Sequence, residues 1–262
     1  MPPAKKVAIV TLGCARNEVD SEELAGRLSV GGWDLVESAE SADAVLVNTC
    51  GFIEAAKRES IDTVLSLAGD DAPAVIATGC LAERYGTELA ASLPEARAVL
   101  GFDDYPEIAA RLDAVMQGQD VPAPVPTDRR TLLPLSPLAR SDARSDVGRD
   151  ASTGAAEVGS TGEPHGYSPP VPRIRLGTGP VASVKLASGC DRRCAFCAIP
   201  RFRGSFVSRT PSEIVSEMGE MVATGVREVI LVSENTTSYG KDLGDMRLLE
   251  SLLPDLAAGT GV

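Results

Sequence analysis

The sequence predicts an α/β protein: a domain built on a parallel sheet with helices, followed by the opening of a second parallel β/α domain. Three observations carry this. Apolar strand-like runs alternate with helical stretches through residues 1–118. A segment of different composition, residues 119–172, interrupts the pattern. From residue 181 it resumes as strand, helix, strand, helix. Alternation of buried strands with helices implies parallel pairing, because the crossover helices cover the sheet.

In the first section "KVAIVTLGC" is an apolar strand running into Cys14, and "NEVDSEELAGRLS" follows as a helix. "ADAVLVNTC" runs into Cys50 and is followed by "GFIEAAKRESIDTVLSLAG", where Ile61, Val64, Leu65 and Ala68 fall on one helical face. "PAVIATGC" runs into Cys80, with "LAERYGTELAASLP" as its helix. A fourth strand, "RAVLGFDD", precedes the helix "YPEIAARLDAVMQG". Three of the four strands thus end in a cysteine, where ligands of such sheets bind and where helix N-termini favour negative charge. The three thiols are expected to converge at one end of one sheet.

Residues 119–172 are rich in Pro, Ser, Gly and Ala without sustained periodicity and read as a flexible linker. The single histidine, His165, lies there and is read as solvated. The second section spans 173–262. "VASVKLASG" alternates like a strand and delivers a loop with Cys190, Cys194 and Cys197. "TPSE" is a capping box with Thr210 as N-cap, Pro211 first in the helix and Glu213 at the third position. Ile214, Met218, Met221 and Val222 of that helix face inward; "REVILVSENTT" reads as a buried strand and "DMRLLESLLPDLAAG" as a helix. A closed β/α barrel takes about 200–250 residues, and only 82 run from residue 181 to Val262. The chain is therefore expected to stop inside its second domain.

The composition, 44% hydrophobic and 24% charged, is that of a soluble globular protein. No secretory h-region and no apolar run long enough to cross a bilayer is read, so the expected compartment is the cytoplasm, with no membrane partner. The net charge of −12 is uneven: residues 1–120 hold 9 Lys/Arg against 21 Asp/Glu, residues 173–262 hold 11 against 10. The acidic first section repels phosphates and attracts a basic partner.

In the cytoplasm clustered cysteines serve metals or redox chemistry more often than disulfides. Structural zinc wants four ligands, but each group here supplies three cysteines and no nearby histidine. Buried, unliganded cysteine is the bland alternative. The remaining reading is a 4Fe–4S cluster on three thiolates, with one iron left open for substrate or cofactor.

The stretch "GCDRRCAFCAIP", C-x3-C-x2-C with Phe196 before the last cysteine, resembles the signature loop of the radical SAM superfamily. "TLGCARNEVDSE", "VNTCGFI" and "ATGCLAERY" resemble the three N-terminal cysteine motifs of the methylthiotransferases within it. The resemblance covers 5–118 and 173–262. It implies an N-terminal methylthiotransferase domain (1–118) and the first part of a radical SAM (β/α) barrel. It further implies two 4Fe–4S clusters, one on Cys190, Cys194 and Cys197 that cleaves S-adenosyl-L-methionine to a radical, and an auxiliary one on Cys14, Cys50 and Cys80 that presents sulfur. Phe196, Ser233 and Glu234 are the implied cofactor-binding residues, with no catalytic residue expected beyond the clusters. Five arginines around the loop, Arg192, Arg193, Arg201, Arg203 and Arg209, are candidates for stabilising the cluster or steering substrate, with solvation the plainer reading for Arg192 and Arg193. "SENTTSYGKDLG" resembles the branch that methylthiolates the β-carbon of an aspartate in small-subunit ribosomal protein S-twelve, a basic partner suited to the acidic section. An electron donor such as flavodoxin or ferredoxin is implied. The alternatives are a tRNA adenosine methylthiotransferase and a non-enzymatic metal-binding protein. By the same resemblance the barrel continues beyond Val262, so this length of chain alone is expected to be inactive.

Overall fold

The computed structural model describes residues 5–69, 72–132 and 173–260. Most of the stretch read as a linker, 133–172, lies outside the described residues, and His165 with it. The described chain forms two compact units: residues up to 127 with 173–179, and residues 128–132 with 180–260.

The first unit is a five-stranded parallel sheet in the order β2-β1-β3-β4-β5, with β1 Lys5–Thr11, β2 Trp33–Leu35, β3 Ala44–Thr49, β4 Ala74–Gly79 and β5 Ala98–Val99. Every residue of the central β3 is buried, which is why "AVLVNT" shows no polar alternation. Successive side chains go to opposite faces. Leu46, Ile76 and Val7 pack on one face with Leu24 and Leu28 of α1 (Ala15–Val30) and Ile108 and Leu112 of α4 (Ile108–Met116). Val45, Val47 and Ala77 pack on the other with Val64 of α2 (Glu54–Leu67) and Leu81 and Leu89 of α3 (Cys80–Ser92). The chain turns one way from β1 to β2 and the other way to β3, so the sheet has a switch point between the C-terminal ends of β1 and β3.

Several expectations need correcting. Leu65 is 43% exposed; the inner stripe of α2 runs through Ser60, Ile61, Val64, Leu67 and Ala68 instead. The fourth strand is only two residues long, and Phe102–Glu107 forms a 3-10 turn containing Pro106 before α4 begins. Strand β2 escapes the sequence pattern because three edge residues carry no readable period. Past residue 118 the chain still packs on this unit: Val121 and Ala123 join its cores and the Thr87 amide donates to the Pro124 carbonyl at 3.0 Å.

In the second unit β6 (Val181–Lys185) pairs in parallel with β9 (Glu228–Val232). The capping box holds as read: the Thr210 hydroxyl accepts from the Glu213 amide and Glu213 accepts from the Thr210 amide, opening α6 (Pro211–Ala223). Ile214, Met218 and Met221 of α6 and Leu252 and Leu256 of α7 (Leu248–Thr260) close one core over Val184 and Val229. Strand β9 is not buried as expected, since Ile230 on its other face is 46% exposed. Two further strands, β7 (Ala187–Ser188) and β8 (Val207–Ser208), pair antiparallel and staple the base of the cysteine loop, which ends in the short α5 (Ile199–Arg203).

Candidate metal centres

The three cysteines of the first unit stand where the sequence puts them, each one to three residues beyond a strand. Cys14 is the N-cap of α1, Cys50 follows β3, and Cys80 is the first residue of α3. Cys14 and Cys50 flank the switch point. Glycines bring the turns together. Gly13 has φ +94°, and a Cβ there would lie 2.7 Å from Cys50 Cβ and 2.9 Å from its Sγ. A Cβ on Gly51 would meet the Cys80 carbonyl oxygen at 2.9 Å. The space of a missing methyl group is filled by the neighbouring cysteine in one case and by its backbone in the other.

A polar network under the turns fixes them. Asn17, fully buried in the first turn of α1, donates from Nδ2 to the carbonyls of Leu12 (2.8 Å) and Thr49 (3.1 Å). Its Oδ1 accepts from Cys80 Sγ at 3.7 Å. Asn48 Nδ2 donates to the Asn17 carbonyl and to Ser21 Oγ, both at 2.9 Å. The Cys50 amide donates to Ser60 Oγ at 2.9 Å, and Arg84 Nη1 reaches the Gly51 carbonyl at 2.9 Å. None of these braces is foreseen from composition; Asn17 stands three residues after Cys14, the one spacing that hints at it.

The second set lies on one loop. The Cys190 amide donates to the Gly204 carbonyl at 3.1 Å, the Phe206 amide to Asp191 at 3.2 Å, and the Cys197 amide to the Cys194 carbonyl at 3.2 Å. Gly189 has φ +79° with the Ser205 carbonyl oxygen only 1.9 Å from where a Cβ would stand, so the two ends of the loop touch through it. Cys190 is buried, Cys197 half-buried and Cys194 exposed. Phe196 is 89% exposed. Ser233 follows β9 and accepts from the Asn235 amide at 3.1 Å. The Glu234 side chain is buried beside Arg203, whose Nε lies 3.8 Å from its carboxylate. Of the other arginines, Arg192 and Arg193 are exposed, Arg201 lies 3.9 Å from Asp128, and Arg209 is committed to Glu217 and the Lys185 carbonyl.

None of the six cysteines is in a disulfide. Among the described residues no three His, Cys, Asp or Glu side chains are gathered as a single metal ion requires. The donor chemistry nonetheless fits a thiophilic iron–sulfur group: each set offers three sulfurs, and in the first set the N-termini of α1, α2 and α3 point their positive ends toward the thiol-bearing turns.

Residues 6–101 match the uncharacterised protein family UPF0004 and residues 184–259 the radical SAM superfamily. The chain is 57% identical to the ribosomal protein uS12 methylthiotransferase RimO of Salinispora tropica, over 100% of this chain and 54% of that protein. It is 58% identical to that of Frankia alni, over 98% and 48%. It thus spans about half the length of these relatives. Among solved structures it resembles the radical S-adenosylmethionine methyltransferase TsrM of Kitasatospora setae, with TM-score 0.53 and 16% identity over 91% of this chain and 50% of that one, a likeness of fold. No helix among the described residues is long and apolar enough to cross a membrane.

Proposed function

The chain belongs to the RimO branch of the radical SAM methylthiotransferases, and from that premise we propose that the protein it forms adds a methylthio group to the β-carbon of an aspartate in ribosomal protein uS12, in the cytoplasm. The observation that carries the reading is the pair of three-thiol sets, one spread over three strand ends of the UPF0004 segment and one on the loop of the radical SAM segment.

Cys190, Cys194 and Cys197 would hold one 4Fe–4S cluster, and Cys14, Cys50 and Cys80 the other. Bound there with S-adenosyl-L-methionine, these groups supply one-electron activation of a C–H bond and a sulfur to be inserted, given an electron donor such as flavodoxin or ferredoxin. The chain's own task is placement. Strand pairing and the Asn17 network set the first three thiols, while the β7–β8 staple sets the second. Ser233 and Glu234, at the end of β9, are assigned to the methionine end of the cofactor, with Arg203 holding the Glu234 carboxylate in place. Phe196, exposed on the loop, is assigned to the cofactor's adenine. The net charge of −12 over residues 1–120 draws in a very basic ribosomal protein.

Deleting the full-length gene in its host and weighing uS12 and the tRNA nucleosides by mass spectrometry tests this. Loss of the methylthio mass from uS12 with tRNA unchanged supports the reading. Loss from a tRNA adenosine keeps the chemistry but overturns the substrate and the charge argument.

A further inference from the structure

We propose that Asn17 is the positioning residue of the first thiol set, the one side chain that fixes the three cysteine-bearing turns relative to each other. The proposal rests on the reading that Cys14, Cys50 and Cys80 hold a cluster. Asn17 touches all three turns. Its backbone amide donates to the Cys14 carbonyl at 2.8 Å. Its Nδ2 spends both hydrogens on the carbonyls of Leu12, two residues before Cys14, and Thr49, the residue before Cys50. That choice fixes which way the amide faces, so Oδ1 is left toward Cys80 Sγ, 3.7 Å away. The side chain is fully buried, and its own carbonyl is tied to Asn48 of β3.

The geometry demands an amide. Aspartate has the same shape, but its carboxylate would set acceptor oxygens against two buried carbonyls. Alanine leaves those carbonyls unbraced. Residues that orient metal ligands typically change metal affinity about 10–100-fold when replaced.

The test uses the full-length protein with Cys190, Cys194 and Cys197 replaced by Ala, so that iron reports the first set alone. Bound iron and sulfide are measured after anaerobic reconstitution, and the reduced cluster is examined by electron paramagnetic resonance. Asn17→Asp is compared with Leu24→Ala, which opens a cavity in the apolar core under the same helix without touching a cysteine turn. The expected result is iron binding weakened about 10–100-fold and an altered spectrum for Asn17→Asp, with loading and spectrum kept in Leu24→Ala. Should Asn17→Asp not fold, Asn17→Ala, which adds no charge, stands against the same expectations. Unchanged loading and spectrum in the Asn17 variant overturn the proposal, as does equal loss in Leu24→Ala, which would assign the effect to stability. If the chain with Asn17 intact binds no iron, the reading of the first thiol set has failed, and the proposal falls with it.

Discussion

Replacing Gly13 by alanine separates two effects that usually arrive together. At φ +94° the new side chain strains the backbone whatever surrounds it, and its Cβ would sit 2.7 Å from Cys50 Cβ and 2.9 Å from Cys50 Sγ. Strain at such positions costs about 1–3 kcal/mol, and forcing an extra methyl into a packed site about 1–3 kcal/mol more. Gly32 provides the control, because it has φ +86° and no atom within 4 Å of its ideal Cβ. Gly32→Ala therefore shows the backbone cost alone, and Gly13→Ala should exceed it by about 1–3 kcal/mol in urea unfolding. Only Gly13→Ala should also lower the iron held by the first thiol set, since Cys50 is the atom group that must move. Equal stability losses in the two variants, with full iron loading in both, would refute the contact argument.

Three further outcomes follow from particular contacts. Glu22 receives Arg173 at 2.5 Å and the Leu176 amide at 3.1 Å, with the two side chains 11% and 8% exposed; Glu22→Gln should cost about 3–5 kcal/mol in chemical denaturation, and a Glu22→Leu, Arg173→Leu double variant should recover most of it. Tyr239 donates to the Arg209 carbonyl at 2.9 Å, and burial pushes its hydroxyl up to about 12. Unfolded tyrosine ionises near 10, so the folded state holds this proton more tightly. Its contribution is complete below pH ~10 and is lost as the pH rises toward ~12; Tyr239→Phe should flatten that part of the stability profile. On α2, Val64→Ala should cost about 1–3 kcal/mol and Leu65→Ala within about 0.5 kcal/mol, measured by thermal unfolding. A larger loss at Leu65 would mean that its exposed face is covered in solution.

The strands that end in cysteine were legible because a buried parallel strand is an unbroken apolar run and the cysteine marks its end. The Thr210 capping box was legible for a similar reason: two residues three positions apart, Thr210 and Glu213, make both hydrogen bonds. What stayed hidden has no local signature. β2, β7 and β8 are two or three residues long, too short to show a period, and exist because a neighbouring backbone needs a partner. Leu65 matched a helical stripe by spacing, yet the sheet reaches α2 about one position round, at Leu67. Asn17 and Ser60 read as ordinary polar helix residues, and only the folded register brings them under the thiols.

The two thiol sets also differ in how much of the fold each needs before it exists. Cys190, Cys194 and Cys197 sit within eight residues, so the chain presents them together without any strand pairing between distant segments. Cys14, Cys50 and Cys80 become neighbours only after β3 has zipped against both β1 and β4. Closing loops of some thirty residues is governed by folding rather than by local encounter. The local set can therefore meet a thiophilic ion, zinc included, whether or not the rest of the chain is folded, whereas the distributed set is guarded until the sheet is finished.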